Sequence, residues 1–274
     1  MDNRMLSKKP IWLENHNKSG RPGKHGGGDD LVYFGYQKIP HREKIRRTCL
    51  HFETVAGRYD FMNTLLSFGI HYLWKRAAIR MMKLRPGDRV LDVCGCTGDL
   101  SIMAKRVVGP AGRVMLYDIN RAMILAGRTK STHSGIRSQI NYVQGNAEEI
   151  SFPDDCFDAA MVGFGIRNVP SMEKGFAEMH RVLKPGGKLM CLEFSKPTAP
   201  LFRCLYDFYS FEIMPFLGEL LAGSRNAYTL LPESIRTFPL PDELAGILKK
   251  IGFRRVVYRR LTNGIAVVHL GEKY

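Results

Sequence analysis

The chain has 274 residues, 45% of them hydrophobic, enough for one sizeable core. Its net charge of +15 brings nucleic acid, an anionic membrane surface and acidic substrates into view, but no basic helix with interleaved aromatics, zinc-finger spacing or RNA-binding aromatic signature accompanies it, so nucleic acid is set aside. No apolar run reaches the roughly 20 residues of a membrane span, no leader pattern opens the chain, and six scattered cysteines do not make a secreted disulfide scaffold; a cytoplasmic protein with reduced thiols is expected.

Residues 1–45 are rich in Gly, Lys, Asn and His and are too polar to offset their ordering entropy by burial. They are expected to be a mobile basic extension ahead of one domain over residues 46–274. Segments 45–55 and 60–83 have helical periodicity. Strand-length apolar runs at 89–93, 113–118, 140–144, 159–163 and 188–194 then alternate with helical stretches at 99–107, 121–129 and 171–183. That alternation predicts an α/β, doubly wound fold, a mostly parallel sheet covered on both faces. Residues 201–222, with Phe202, Tyr206, Phe208, Tyr209, Phe211 and Phe216, read as helix inside an insertion at about 198–240 that is expected to form a lid. A helix at 241–251 and strands at 254–259 and 265–269, joined by the turn dipeptide Asn263-Gly264, complete a seven-stranded sheet.

Ligands of open α/β sheets bind beyond the carboxyl ends of the strands, where strand order reverses. The first strand-to-helix turn, Asp92-Val93-Cys94-Gly95-Cys96-Thr97-Gly98-Asp99, is therefore the expected cofactor site. Asp118 ends the next strand, where an acid accepts hydrogen bonds from ribose hydroxyls. A dinucleotide would place its pyrophosphate on the helix N-terminus behind three glycines. Here only Gly95 and Gly98 are present, and Asp99 puts a negative charge in the first helical turn. S-adenosylmethionine has no phosphate and carries a sulfonium cation, so this loop favours it, with a dinucleotide the open alternative. Cys94 and Cys96 lack a second ligand pair or a nearby His, so no metal site is expected and both read as small thiols in a turn.

The chain resembles the ubiquinone/menaquinone biosynthesis C-methyltransferase family from about Phe34 to its end. The resemblance is carried by Tyr59-Asp60-Phe61-Met62-Asn63, Leu66-Ser67-Phe68-Gly69-Ile70-His71, Trp74-Lys75-Arg76, Thr97-Gly98-Asp99, Asp118-Ile119-Asn120, Gly145-Asn146-Ala147-Glu148, Phe164-Gly165-Ile166-Arg167-Asn168, Arg181-Val182-Leu183-Lys184-Pro185-Gly186-Gly187 and Leu192-Glu193-Phe194-Ser195-Lys196-Pro197. It implies a Rossmann-like methyltransferase fold and S-adenosyl-L-methionine as cofactor, with the residues matching Thr97, Asp118, Asn146 and Ala147 in contact with it. Asp92, Gly95, Gly98, Ile119 and Gly163 complete the candidate cofactor-binding set. The family pattern across the loop is Asp-x-Ala-Gly-Gly-Thr-Gly-Asp. Cys96 stands where the second of those adjacent glycines would let backbone approach the ligand or take φ above zero.

Methyl transfer from a sulfonium to carbon is an in-line displacement in which the protein mainly supplies orientation. The acceptor carbon becomes nucleophilic when the neighbouring quinol hydroxyl loses its proton, so the site needs a base or a cation that stabilises the phenolate. The resemblance points to Arg167 for that cation, with Asn168, His71 and Tyr59 orienting the ring. The acceptor it implies is a lipid-soluble quinol, demethylmenaquinol or 2-polyprenyl-6-methoxy-1,4-benzoquinol, drawn from the inner face of the membrane by peripheral contact. A homodimer or a quinone-biosynthesis enzyme complex is the partner state considered. The competing readings are methylation of another small phenolic acceptor and a non-catalytic scaffold or regulatory homologue that has lost donor binding through Cys96.

Overall fold

The computed structural model describes residues 30–135, 139–222 and 225–274. Leu31–Tyr274 is one compact unit. It begins earlier than expected. An antiparallel hairpin, β1 (Leu31–Phe34) and β2 (Gln37–Pro40), leads into α1 (His41–Val55). The first turn of α1 is polar, with Glu43 bonded to Arg46 and Arg47, so apolar periodicity alone places its start four residues too late. The rest of the expected extension, residues 1–29, lies outside the described residues.

The stretch 60–83, expected as one helix, is two: α2 (Tyr59–Leu66) and α3 (Ile70–Met82). Phe68 (φ 50°) and Gly69 (φ 73°) turn left-handed between them, which an α-helix cannot continue through. Then follow β3 (Arg89–Val93), α4 (Asp99–Val108), β4 (Arg113–Asp118), α5 (Arg121–His133), β5 (Ile140–Gln144), β6 (Phe157–Gly163), α6 (Met172–Val182) and β7 (Leu183–Phe194). The helical insertion holds α7 (Pro200–Phe208), a π-helical turn (Tyr209–Ile213), α8 (Met214–Ala222) and α9 (Arg225–Thr237). The chain closes with α10 (Pro241–Ile251), β8 (Arg254–Leu261) and β9 (Ala266–Glu272).

The seven-stranded sheet runs β5-β4-β3-β6-β7-β9-β8, with β9 antiparallel to both neighbours and the rest parallel. Strand order reverses between β3 and β6. Both faces of the central strands are buried and alternate residues feed different cores. Leu91, Ala160, Val162 and Cys191 pack toward α6 and α10, while Val90, Ala159, Met161 and Met190 pack toward α3 and α4. The two layers of helix leave the carboxyl ends of β3, β4, β6 and β7 as the place where loops converge.

Candidate active site

The loop after β3 is shaped by left-handed backbone: Cys94 at φ 54°, Cys96 at 52° and Gly98 at 80°. Gly95 is required by space, because a Cβ there would lie 2.6 Å from Leu116 Cγ and 3.2 Å from Asp92 Cγ. At the foot of the loop Asp92 is buried. Its Oδ2 accepts from Ser101 Oγ at 2.6 Å, and its Oδ1 has no partner. Burial pushes its carboxyl up to about 7. Asp118 accepts from the amides of Cys96 (2.9 Å) and Asn120 (2.8 Å), one on each carboxylate oxygen, and burial raises it to about 6. Two buried carboxylates face this loop, and among the described residues no cation is bonded to either, an acceptor set that suits a ligand carrying hydroxyls and positive charge. The expected methyl donor fits these residues.

Two cavities meet here. The smaller, about 70 Å³, is lined by Asp118, Ile119, Asn146 and Ala147 from the ends of β4 and β5 and by Ile45, Thr48, Cys49 and Phe52 of α1. Asn146 turns its side-chain oxygen to the Glu148 amide at 3.1 Å, and Asn120 Nδ2 donates to the Cys49 carbonyl at 2.9 Å, tying α1 across this space. The larger, about 400 Å³, is lined by Asp92, Gly95, Thr97, His71 and Arg167, by the aromatic rings of Phe164, Phe194 and Phe202, and by the insertion's Tyr206, Tyr209 and Leu231. Phe52, Tyr59, Cys94, Cys96, Gly163, Phe164 and Asn168 line both, so they mark the junction.

Gly98 lines neither cavity. It occupies the position just before α4, and its left-handed φ is what lets the chain turn into that helix. Thr97 faces the larger cavity, where its hydroxyl donates to Asp60 Oδ1 at 2.7 Å. His71 is buried, and burial followed by the Lys75 charge holds it down at about 4, so its ring is neutral and a poor proton acceptor near pH 7. Tyr59 lies beside Cys96 at the junction, and burial pushes its hydroxyl well above the ordinary value, keeping it protonated. The Cys94 and Cys96 thiols are likewise pushed up by burial and are not nucleophiles.

Arg167 sits in a 3-10 turn, Ile166–Asn168, after β6. Its Nη1 donates to Glu193 Oε1 at 2.7 Å and to the Phe164 carbonyl at 2.5 Å, its Nε donates to Ser234 Oγ at 3.3 Å, and its guanidinium lies 5.4 Å from the Phe194 ring centre. The guanidinium is held from three sides with a face on the cavity.

Several residues of this neighbourhood escape a reading of sequence alone. Lys44 is buried and donates to the carbonyls of Arg167 (3.2 Å) and Val169 (3.1 Å), fixing the turn from α1, yet it falls in the stretch expected to be mobile. Lys75 and Lys130 clamp Asp99 at 2.7 and 2.5 Å, and Lys130 also reaches Asp60 at 2.8 Å, so the acid in the first turn of α4 is fully engaged. Glu193 stands in a segment that carries the family resemblance and is a charged residue in an apolar strand, but neither signal assigns it a role.

Residues 42–273 match the ubiE/COQ5 methyltransferase family. The ubiquinone/menaquinone biosynthesis C-methyltransferase UbiE of Stutzerimonas stutzeri is 44% identical over 92% of this chain and 98% of its own length. Its counterpart in Marinomonas sp. is 46% identical over 88% and 96%. Among solved structures, a SAM-dependent methyltransferase of Thermotoga maritima superposes with a TM-score of 0.59 at 19% identity, over 82% of this chain and 99% of that one, a likeness of fold alone. The fold by itself does not say what the chain does, but the match along nearly its whole described length shows its family: this chain belongs to the ubiE/COQ5 methyltransferase family.

Proposed function

We propose that this protein is an S-adenosyl-L-methionine-dependent C-methyltransferase that methylates a ring carbon of a polyprenyl quinol in menaquinone or ubiquinone biosynthesis. The observation that carries the reading is the junction itself. A carboxylate-lined donor half opens directly into a largely aromatic, apolar chamber that Arg167 lines together with the ion-paired Lys75 and Asp99. The relatives named above support the quinol as acceptor.

When bound, the donor supplies a methyl group on a sulfonium leaving group. The chain's own residues do the rest. Asp118 accepts from the ribose hydroxyls, with its carboxylate aimed by two backbone amides. Asn146, Ala147 and Ile119 bound the adenine end. Arg167 stabilises the phenolate oxygen of the acceptor as its O–H proton leaves to water. An arginine does this as an electrostatic partner and not as a base, because it keeps its proton at ordinary pH. Asn168, Tyr59 and neutral His71 orient the ring as hydrogen-bonding groups. The insertion at about 198–240 acts as the lid that excludes water from the chamber.

No helix among the described residues is long and apolar enough to cross a membrane. The insertion nevertheless carries exposed Leu201, Leu205, Phe208 and Phe216, and Phe68 beside them is 79% exposed and lines the mouth of the larger cavity. Large apolar patches at a cavity mouth suit contact with the membrane that holds the substrate, and peripheral attachment at the inner face follows from this reading. The test is methyl incorporation from labelled donor into demethylmenaquinol and 2-polyprenyl-6-methoxy-1,4-benzoquinol, each in vesicles, against simple phenols. Labelling of a quinol is expected; transfer to simple phenols alone would overturn the assignment of acceptor.

A further inference from the structure

Glu193 is the penultimate residue of β7 and is 1% exposed. Its Oε1 accepts from Arg167 Nη1 at 2.7 Å and from the Phe194 amide at 3.0 Å, whereas its Oε2 is buried with no hydrogen-bond partner. An ion pair serving only to hold Arg167 in place would be expected to satisfy both oxygens, since a bare buried carboxylate oxygen is costly. Replacing such a pair by apolar side chains is often stabilising. Stability does not account for Glu193.

Charge does. The junction between the two cavities lies beside Arg167, so a sulfonium entering the donor half meets a guanidinium across a chamber walled by Phe164, Phe194 and Tyr206. Two like charges several ångströms apart in such surroundings repel strongly enough to weaken binding roughly tenfold or more. Glu193 stands behind the guanidinium and cancels its charge at a distance, while the guanidinium's cavity face stays available to an oxyanion. Burial pushes the Glu193 carboxyl up, and Arg167 is the strongest influence pulling it down. A second cation in the chamber would stabilise the same carboxylate.

We propose that Glu193 is a positioning residue that neutralises Arg167 toward the sulfonium, so that the site holds the cationic donor in preference to its neutral demethylated product. The inference rests on the donor reading of the junction and is independent of which quinol is methylated. Asp92 and Asp118 also face the donor and remain in place when Glu193 is changed, so the effect is a partial loss.

The experiment is calorimetric titration of the full chain with S-adenosylmethionine and, separately, with S-adenosylhomocysteine. In Glu193→Gln the donor's Kd is expected to rise about tenfold, while that of the product stays within about twofold of the unaltered protein. A purely structural role would weaken both together. Arg167→Met alone, which needs no change at Glu193, is expected to bind the donor at least as tightly as the unaltered protein, and the double variant Arg167→Met/Glu193→Gln to recover most of the lost donor affinity. Equal losses for both ligands, an unchanged donor Kd in Glu193→Gln, weakened donor binding in Arg167→Met, or no recovery in the double variant would each overturn the proposal. Binding of neither ligand by the unaltered chain would be a different failure, that of the donor reading.

Discussion

The donor half and the acceptor half of the site are made from different material. The donor half stands on the ends of β3, β4 and β5, and its key acid, Asp118, is aimed by backbone amides of residues only 2 and 22 positions away. The acceptor half is assembled from α2, α3, the turn after β6, β7 and the insertion, and its cation is fixed by Glu193 and by Ser234, 67 residues downstream. The sheet supplies a platform that many distantly related proteins share; under the proposed function, the helices added before and after it select what is methylated. Changes in the two halves should therefore separate donor affinity from turnover.

The largest separation is expected at Arg167. Arg167→Met should lower turnover by roughly two to three orders of magnitude, the usual scale for removing a group that stabilises a developing oxyanion, while calorimetry with the donor shows no loss. A parallel collapse of donor binding would mean that the turn at Ile166–Asn168 belongs to the donor half. The converse is expected at Asp118. Asp118→Ala removes hydrogen bonds to a charged acceptor and strands the Cys96 and Asn120 amides, so donor Kd should rise roughly ten- to a hundredfold. Turnover at saturating donor should fall far less.

This division also explains what could be read from the chain before folding. The doubly wound sheet was legible because its strands are continuous apolar runs: β3, β4 and β5 have the expected limits, and Asp92, Gly95 and Asp118 converge as the first strand-to-helix turn requires. The acceptor half was legible only through family resemblance. The break at Phe68 and Gly69 depends on left-handed backbone, which apolar periodicity does not register. Lys44 is more telling. A lysine in a polar stretch reads as solvated, and only the position of α1 against the turn of Arg167 buries its ammonium on two carbonyls. Charged residues buried by long-range contact leave no local pattern.

A smaller effect concerns the donor half when it is empty of ligand. Asp92 is raised from an ordinary 3.8 to about 7 by burial, so the folded protein holds this proton more tightly than the unfolded chain does. The stability this contributes is full below about pH 4 and is lost as pH rises through 7. Asp92→Asn, nearly the same shape without the charge, should thus melt several degrees above the unaltered protein at pH 8. The gap should shrink steadily toward pH 4. Added donor should raise the melting temperature of the unaltered protein more than that of Asp92→Asn. A gap independent of pH would show that Asp92 is already neutral, or already partnered, in the donor half.

The smallest expected effect separates the halves at their shared wall. Cys96 holds φ at 52°, a conformation that disfavours a residue with a Cβ by about 1 kcal/mol and is free to glycine. Its thiol also lies beside Tyr59 of α2 at the junction. Cys96→Gly should therefore act in two directions at once. Relief of backbone strain and the removal of a side chain from the loop should tighten donor binding a few-fold. Loss of the thiol should free the Tyr59 hydroxyl and raise the quinol KM by a similar factor. The donor gain rests on local backbone geometry and the acceptor loss on a contact between α2 and the loop, so the two need not scale together. The second substitution Tyr59→Phe discriminates. Added to Cys96→Gly, it should leave the donor gain intact and raise the quinol KM further, because the Tyr59 hydroxyl itself orients the ring. If it erased the donor gain, the thiol–tyrosine contact, and not the strained φ, would be what governs the loop.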